Sequence, residues 1–309
     1  MNILFYTNFA NQDELLKLVK KKFKGNKVFT IKNKINLDKI DVAMIWHLPE
    51  KIFKKLTNLK LIFSLGAGVD HIINLPSYKN IPIIRIKDPN MRERMFNHVL
   101  AQILNYQLKL EIYLKAQQKK IWIKEQNTHL NNEINIGILG IGYLGGYIAQ
   151  KLQKLGYNVF GYKNTPPNSK VPFKVFFGKS INQFIIQSDI LVSILPATEK
   201  TNNFINKKFL NKLKKKSLLI NIGRGSSVNE KDLLNHLKDN PNCYASLDVF
   251  KNEPIKKNHP FWSHPNVTVT PHVAAITDVE SSINYMYSRF VVFKKNFKIK
   301  SDVNLKKGY

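Results

Sequence analysis

The chain has 309 residues, 43% of them hydrophobic and 11% aromatic, which is enough for two domains with cores of their own and too apolar for a disordered segment. No uninterrupted apolar run approaches the roughly 18 to 20 residues of a membrane span, so no membrane partner is expected. The net charge of +28 raises nucleic acid as a partner, but it comes from 44 scattered lysines and only five arginines. Phosphate and base readers favour arginine forks, so no nucleic acid is expected either.

The single cysteine, Cys243, has no partner with which to build a disulfide framework. The opening MNILFYTNFA reads as a first strand rather than a signal peptide, because it lacks a basic region and a small-residue cleavage site. The expected setting is the cytosol.

In chain order, short apolar runs alternate with segments of helical period, the pattern of parallel sheets with crossover helices. A first series predicts strands at Ile3–Tyr6, Val28–Ile31, Val42–Trp46, Leu61–Leu65 and Ile83–Ile86, with helices such as Asp13–Phe23 and Glu50–Leu56 between them. A long helical stretch, Met91–Lys119, follows. A second series predicts strands at Ile134–Leu139, Asn158–Tyr162, Ile190–Leu195, Leu218–Ile222, Ala245–Val249 and Val267–Thr270, and a last helix at Asp278–Phe297. The expected architecture is α/β, with two doubly wound parallel-sheet domains: residues 1–98 with 278–309, and residues 99–277.

The segment INIGILGIGYLGGYIAQKL places Gly140, Gly142 and Gly145 as GxGxxG between a β-branched run and a helix. Glycines there permit a tight turn, close approach of a pyrophosphate and close helix–strand packing, with the phosphates over the amides that open the helix, at Tyr143 and Leu144. A site specific for NAD normally carries Asp or Glu about 20 residues further on, to accept from the ribose 2′-hydroxyl. No acidic residue stands between Glu133 and Asp189, and the second strand runs out into Lys163 and Asn164. A lysine and an amide can bond a 2′-phosphate that a carboxylate would repel. NADP(H) is therefore expected in preference to NAD(H).

Three further segments each follow a strand of the second series, where a doubly wound sheet binds its ligand: LLINIGRGSSVNE with Arg224, SLDVFKNEP with Asp248 and Glu253, and VTVTPHVAA with His272. Reduction of a 2-oxo acid needs a planar cation for the carboxylate and carbonyl, an acid for the developing alkoxide, and a partner that favours the charged form of that acid. Arg224, His272 and Glu253 suit those roles in turn. His259, His264 and His272 have no cysteine or carboxylate at ligand spacing, so no metal is expected. His47, His71, His98, His129 and His236 read as structural or surface groups.

At these residues the chain resembles the D-isomer-specific 2-hydroxyacid dehydrogenases and, within them, a bacterial group of glyoxylate/hydroxypyruvate reductases. The resemblance runs through LGAGVD (Leu65–Asp70), GILGIGYLG (Gly137–Gly145), SILPAT (Ser193–Thr198), NIGRG (Asn221–Gly225), LDVFKNEP (Leu247–Pro254), TPHVAAIT (Thr270–Thr277) and a terminal GY. It implies a flavodoxin-like substrate domain, a Rossmann cofactor domain inserted in it and a cleft between them. Arg224, Glu253 and His272 match the family's catalytic set, Asp248 an Asp near the nicotinamide, and Pro196 a cofactor contact. The amides of Ala67, Gly68 and Val69 match the loop that holds the substrate carboxylate, and Trp46 matches the group's pocket.

The implied activity is NADPH-dependent reduction of glyoxylate to glycolate and of hydroxypyruvate to glycerate, by hydride transfer with histidine as general acid, in a homodimer. Two departures stand out. The group often carries Arg or Ser where Lys163 and Asn164 stand, and the sequence leaves open whether Arg92 or Arg94 reaches the cleft. A non-catalytic NAD(P)-sensing protein on the same fold is the alternative, and the intact Arg224, Glu253 and His272 set weighs against it.

Overall fold

The computed structural model describes residues 1–9, 11–86, 88–124, 127–166, 171–276 and 278–304. Thr277 and the terminal Gly308 and Tyr309, which belong to two of the motifs above, lie outside the described residues. The elements run β1 (Asn2–Tyr6), α1 (Gln12–Lys22), β2 (Lys27–Phe29), β3 (Val42–Ile45), α2 (Glu50–Phe53), β4 (Leu61–Ser64), α3 (Asp70–Ile73) and β5 (Ile83–Arg85). There follow α4 (Pro89–Gln107), α5 (Leu110–Gln118), β6 (Asn135–Leu139), α6 (Tyr143–Lys154), β7 (Asn158–Lys163), β8 (Lys174–Phe177) and α7 (Ile181–Gln187). The rest are β9 (Ile190–Ser193), α8 (Lys207–Leu210), β10 (Ser217–Asn221), α9 (Glu230–Asp239), β11 (Cys243–Leu247), β12 (Val267–Val269) and α10 (Val279–Asn296).

Two compact units result, Met1–Met91 with Thr277–Tyr309, and Arg92–Ile276. The first holds a five-stranded sheet in the order β2-β1-β3-β4-β5, with every pair parallel. The second holds a seven-stranded sheet, β12-β11-β10-β9-β6-β7-β8, again parallel throughout. Helices cover both faces of such a sheet, so its inner strands are apolar on both sides instead of alternating. Accordingly β3, β4, β9 and β10 are buried at every residue.

In the first unit, Ile283, Met286, Phe290 and Phe293 of α10 join Ile3, Phe5, Met44 and Phe63 in one core cluster, while Ile40, Leu48, Phe53 and Ile72 belong to another. In the second unit, Met95, Val99 and Ile103 of α4 and Ile148 and Leu152 of α6 pack with Ile136, Ile138 and Ile220, while Phe184, Leu233 and Leu237 pack with Leu191 and Leu219. Among the described residues no helix is long and apolar enough to cross a membrane.

Two local features differ from the sequence expectation. The stretch Met91–Lys119 is two helices, not one, because Lys109 takes a left-handed backbone (φ 57°) and ends α4 before α5 starts. Lys109 lays its ammonium over the Tyr106 ring at 4.5 Å there. Strand β8, KVFF, was not expected from the sequence; it is a short edge strand on β7 with Phe176 buried and Lys174 exposed.

Helix α10 is fixed to the first unit by edge contacts of Phe23 with Phe290 (5.1 Å between centroids) and with Tyr287 (5.2 Å). Phe290 is 1% exposed. Replacing it with Ala removes a buried aromatic and leaves a cavity, so Phe290→Ala is expected to lower the unfolding free energy by about 3–5 kcal/mol. Urea denaturation measures this, and a loss under about 1 kcal/mol would contradict the assigned packing.

Candidate active site

In the second unit every candidate follows the carboxyl end of a parallel strand: Gly140 after β6, Lys163 and Asn164 at the end of β7, Pro196 after β9, Arg224 after β10, Asp248 and Glu253 after β11, and His272 after β12. Strand order reverses beside β6, which lies between β7 and β9, and such a switch point is where open α/β sheets bind nucleotides. The glycine turn stands there. Gly140 has φ 104°, and a Cβ on Gly145 would fall 2.0 Å from the Gly140 carbonyl oxygen, so neither position tolerates a side chain.

Gly142 caps α6 with no side-chain hydrogen bond, and a Cβ there would meet nothing within 4 Å. The amides that open α6, from Tyr143 onward, have no acceptor within their own helix and have the positive end of the helix dipole behind them. This cradle fits a dinucleotide pyrophosphate. Lys163 is half-buried at the end of β7 and Asn164 is exposed beside it. Pro196 is half-buried, and its carbonyl accepts from Thr201 Oγ1 at 2.5 Å.

The loop after β10 is pressed between its neighbours. A Cβ on Gly223 would lie 2.6 Å from the Leu195 backbone, and one on Gly225 would lie 1.9 Å from the Phe250 carbonyl carbon. Those two glycines let the backbone that carries Arg224 sit against the loops after β9 and β11 at once. The Arg224 carbonyl accepts from Asn221 Nδ2 (3.2 Å) and Ser227 Oγ (2.7 Å), and its Nη1 donates to the Gly223 carbonyl (2.9 Å).

Asp248 is 1% exposed and organises the next two loops. Its Oδ1 accepts from Thr270 Oγ1 (2.6 Å) and the Val273 amide (2.9 Å), and its Oδ2 accepts from the Ala274 amide (3.0 Å). Its own carbonyl accepts from the His272 amide at 2.8 Å. His272 has a left-handed backbone (φ 56°), a conformation that costs a non-glycine residue about 1–3 kcal/mol and persists where its surroundings impose it. The bonds to Asp248 impose it.

The His272 imidazole meets Glu253, with Nδ1 2.7 Å from Oε2, and Glu253 Oε1 accepts from the Phe250 amide at 2.8 Å. Burial by itself would raise the Glu253 carboxyl. It is outweighed by the hydrogen bonds from His272 and the Phe250 amide and by the charges of His272 and Arg224, which hold the carboxyl below its ordinary 4.5. The structure thus brings Arg224, Glu253 and His272 together, though they stand far apart in the chain. His98 of α4 is held neutral more strongly than an ordinary histidine, because burial outweighs the charge of nearby Asp248. Among the described residues no group of three His, Cys, Asp or Glu side chains could hold a metal.

In the first unit, Trp46 follows β3 and packs against Gly66, where a Cβ would fall 2.2 Å from its ring. His71 and His47 flank that ring, with centroids 4.3 Å and 5.0 Å away. Buried Ser64 shapes the loop after β4 by donating to the Gly66 and Gly68 carbonyls (2.9 and 2.8 Å). The amides of Ala67, Gly68 and Val69 donate to no acceptor among the described residues. Sequence reasoning missed Ser64 and Thr270, both of which position loops. The only signal for Ser64 was a hydroxyl in an otherwise apolar run, and Thr270 stood in the TPHVAAIT motif with nothing to mark its role.

Comparison with known proteins bears on this arrangement. The profile of the D-isomer specific 2-hydroxyacid dehydrogenase, NAD binding domain, matches residues 100–274. The chain belongs to this family of NAD(P)-dependent dehydrogenases. A curated relative, the glyoxylate/hydroxypyruvate reductase A of Yersinia enterocolitica, is 31% identical over 317 residues, covering 100% of both chains.

Among solved structures, an NADPH-dependent glyoxylate/hydroxypyruvate reductase from Sinorhizobium meliloti, in complex with NADP and sulfate, superposes with TM-score 0.92 at 29% identity, covering 100% of this chain and 99% of that one. A D-isomer specific 2-hydroxyacid dehydrogenase from Xanthobacter autotrophicus, in complex with NADPH and MES, gives 0.90 at 28% identity, with 100% and 99% covered.

The depressed Glu253 carboxyl sets a pH test. A group whose pKa is lowered by folding contributes stability above its unfolded value and loses it as pH falls through the folded value. A carbon-13 NMR titration of Glu253 should give a midpoint below 4.5, and His272→Asn, which removes the bond and the charge, should raise it. A wild-type midpoint at or above the ordinary value would contradict the pairing.

Proposed function

We propose that the chain reduces small 2-oxo acids, glyoxylate and hydroxypyruvate first among them, to the corresponding 2-hydroxy acids with NADPH. The observation that carries this reading is the 2.7 Å bond between Glu253 and His272, with the charge of Arg224 bearing on the same carboxylate. When bound, the reduced nicotinamide supplies the hydride that the keto carbon receives. The chain supplies the remaining chemistry.

By accepting from Nδ1, Glu253 fixes the ring orientation and leaves Nε2 for the substrate oxygen. His272 then passes its proton to that oxygen as negative charge develops there, so the oxo acid gains one hydride and one proton. Arg224 offers a planar fork to the carboxylate and carbonyl.

The substrate choice is supported by the relatives' names, and the cofactor by the NADP and NADPH bound in the Sinorhizobium and Xanthobacter structures. Preference for NADPH over NADH rests on the absence of any acidic residue from 134 to 188 and on Lys163 and Asn164 at the end of β7. A cytosolic homodimer completes the reading. The exposed apolar side chains Leu110, Leu114, Ile121 and Trp122 (94% exposed) supply a surface that a second copy would cover. A sensor without turnover would have no use for a histidine strained into place against a carboxylate.

A matrix of NADPH and NADH against several 2-oxo acids, followed at the nicotinamide absorbance, tests the proposal. Glyoxylate and hydroxypyruvate should be turned over with a higher kcat/KM for NADPH. Equal or better use of NADH would overturn the cofactor preference, and no substrate-dependent oxidation across the panel would favour the sensor. In the same assay His272→Asn should lower kcat by about 100- to 10,000-fold while the NADPH Kd stays put.

A further inference from the structure

Arg92 stands at the start of α4, outside every motif, and its side chain lies over α6. Its guanidinium carbon is 4.4 Å from the centroid of the Tyr147 ring and 5.7 Å from that of Tyr143. These tyrosines are spaced i, i+4 on the helix that the glycine turn opens, so they share a face. Helical side chains lean toward the N-terminus of their own helix, so the two rings carry the guanidinium back toward the uncapped amides of Tyr143, Leu144 and Gly145.

The neighbouring residue fixes this placement. Glu93 accepts from the Tyr147 hydroxyl and from Lys151 Nζ (3.3 Å), which ties α4 to α6 on the same ring that Arg92 covers. Both Glu93 oxygens are thereby engaged. Arg92 itself donates to no acceptor among the described residues. A guanidinium held against a ring face still projects its N–H groups from its edge, in a fork that matches phosphate oxygens. In a chain with 44 lysines and five arginines, an arginine here supplies what a lysine lacks, a flat face for the stack together with that fork.

We propose that Arg92 is a cationic clamp on the diphosphate bridge of the dinucleotide, held in place by Tyr147 and acting beside the α6 amides. The assignment rests on the reading of the α6 N-terminus as the dinucleotide site. The diphosphate is common to NADPH and NADH, whereas Lys163 and Asn164, at the end of β7, are the residues proposed above for the 2′-phosphate that distinguishes them. Arg92 therefore sets affinity for both cofactors and takes no part in choosing between them.

The test is direct binding, read by quenching of protein fluorescence or by calorimetry at fixed ionic strength, with NADPH, NADH and adenosine 2′-monophosphate as probes. Arg92→Met, which keeps the length and apolar bulk of the stem, should raise the Kd of NADPH and NADH by the same factor, about 10- to 100-fold for a lost charged hydrogen bond. The directly measured Kd of adenosine 2′-monophosphate, which has no diphosphate, should be unchanged. Arg92→Lys should recover only part of the loss and serves as the second variant if Arg92→Met melts at a lower temperature.

An unchanged Kd in Arg92→Met, or a loss confined to NADPH, overturns the assignment while leaving the dinucleotide site intact. Failure of the wild-type protein to bind either dinucleotide removes the site itself, and the clamp with it.

Discussion

The carboxylate of Asp248 is the constraint on which the rest of the candidate site depends. It is buried and accepts three hydrogen bonds, all from the loop that follows β12. Its amide donates to the Asn221 carbonyl at the end of β10, and its carbonyl takes the His272 amide. Asn221 in turn bonds the Arg224 carbonyl and the Gly223 amide. One buried acid and one buried amide thus connect the loops that carry Arg224 and His272. A buried carboxylate is costly unless its oxygens are satisfied, and satisfying them here fixes the geometry of the loops that supply the donors.

The parallel sheet explains why so few bonds suffice. With all seven strands pointing one way, every loop at their carboxyl ends emerges on the same edge. Close packing does the rest. Gly223 and Gly225 remove the side chains that would hold the β10 loop away from the loops after β9 and β11, and Gly145 allows α6 to sit against the turn at Gly140. The apolar core, from Ile136 and Ile138 through Leu191 to Leu219, holds these backbones rigid while the polar groups stay at the rim.

Much of this was legible in the sequence. The buried strands announce themselves as β-branched runs, so 11 of the 12 strands among the described residues lie where apolar periodicity puts them, within two residues or so at the ends. Strand β8 escaped because KVFF alternates only weakly and sits at an edge. The break at Lys109 escaped because a left-handed residue without glycine leaves no compositional mark. Arg224, Glu253 and His272 could be named because each follows a strand and their chemistry is complementary.

The remaining functional geometry depends on neighbours that spacing does not encode. Ser64 beneath the Gly66 loop, Thr270 on Asp248 and the two tyrosine rings under Arg92 come from contacts between elements. The sequence left Arg92 open because a helix N-terminus can face in any direction until its packing partner is known. Arg94, left open with it, donates Nη1 to the Ile276 carbonyl at 2.5 Å and so caps a loop of its own unit.

The proposed reduction depends above all on Glu253 and His272 working as one unit. A double-mutant cycle on kcat, with Glu253→Gln, His272→Asn and the pair together, measures that coupling directly. If the carboxylate acts only through the imidazole, the double variant should be no slower than His272→Asn alone. Losses that simply multiply would mean that the two residues act independently, and the proposed acid with its acidic partner would have to be abandoned.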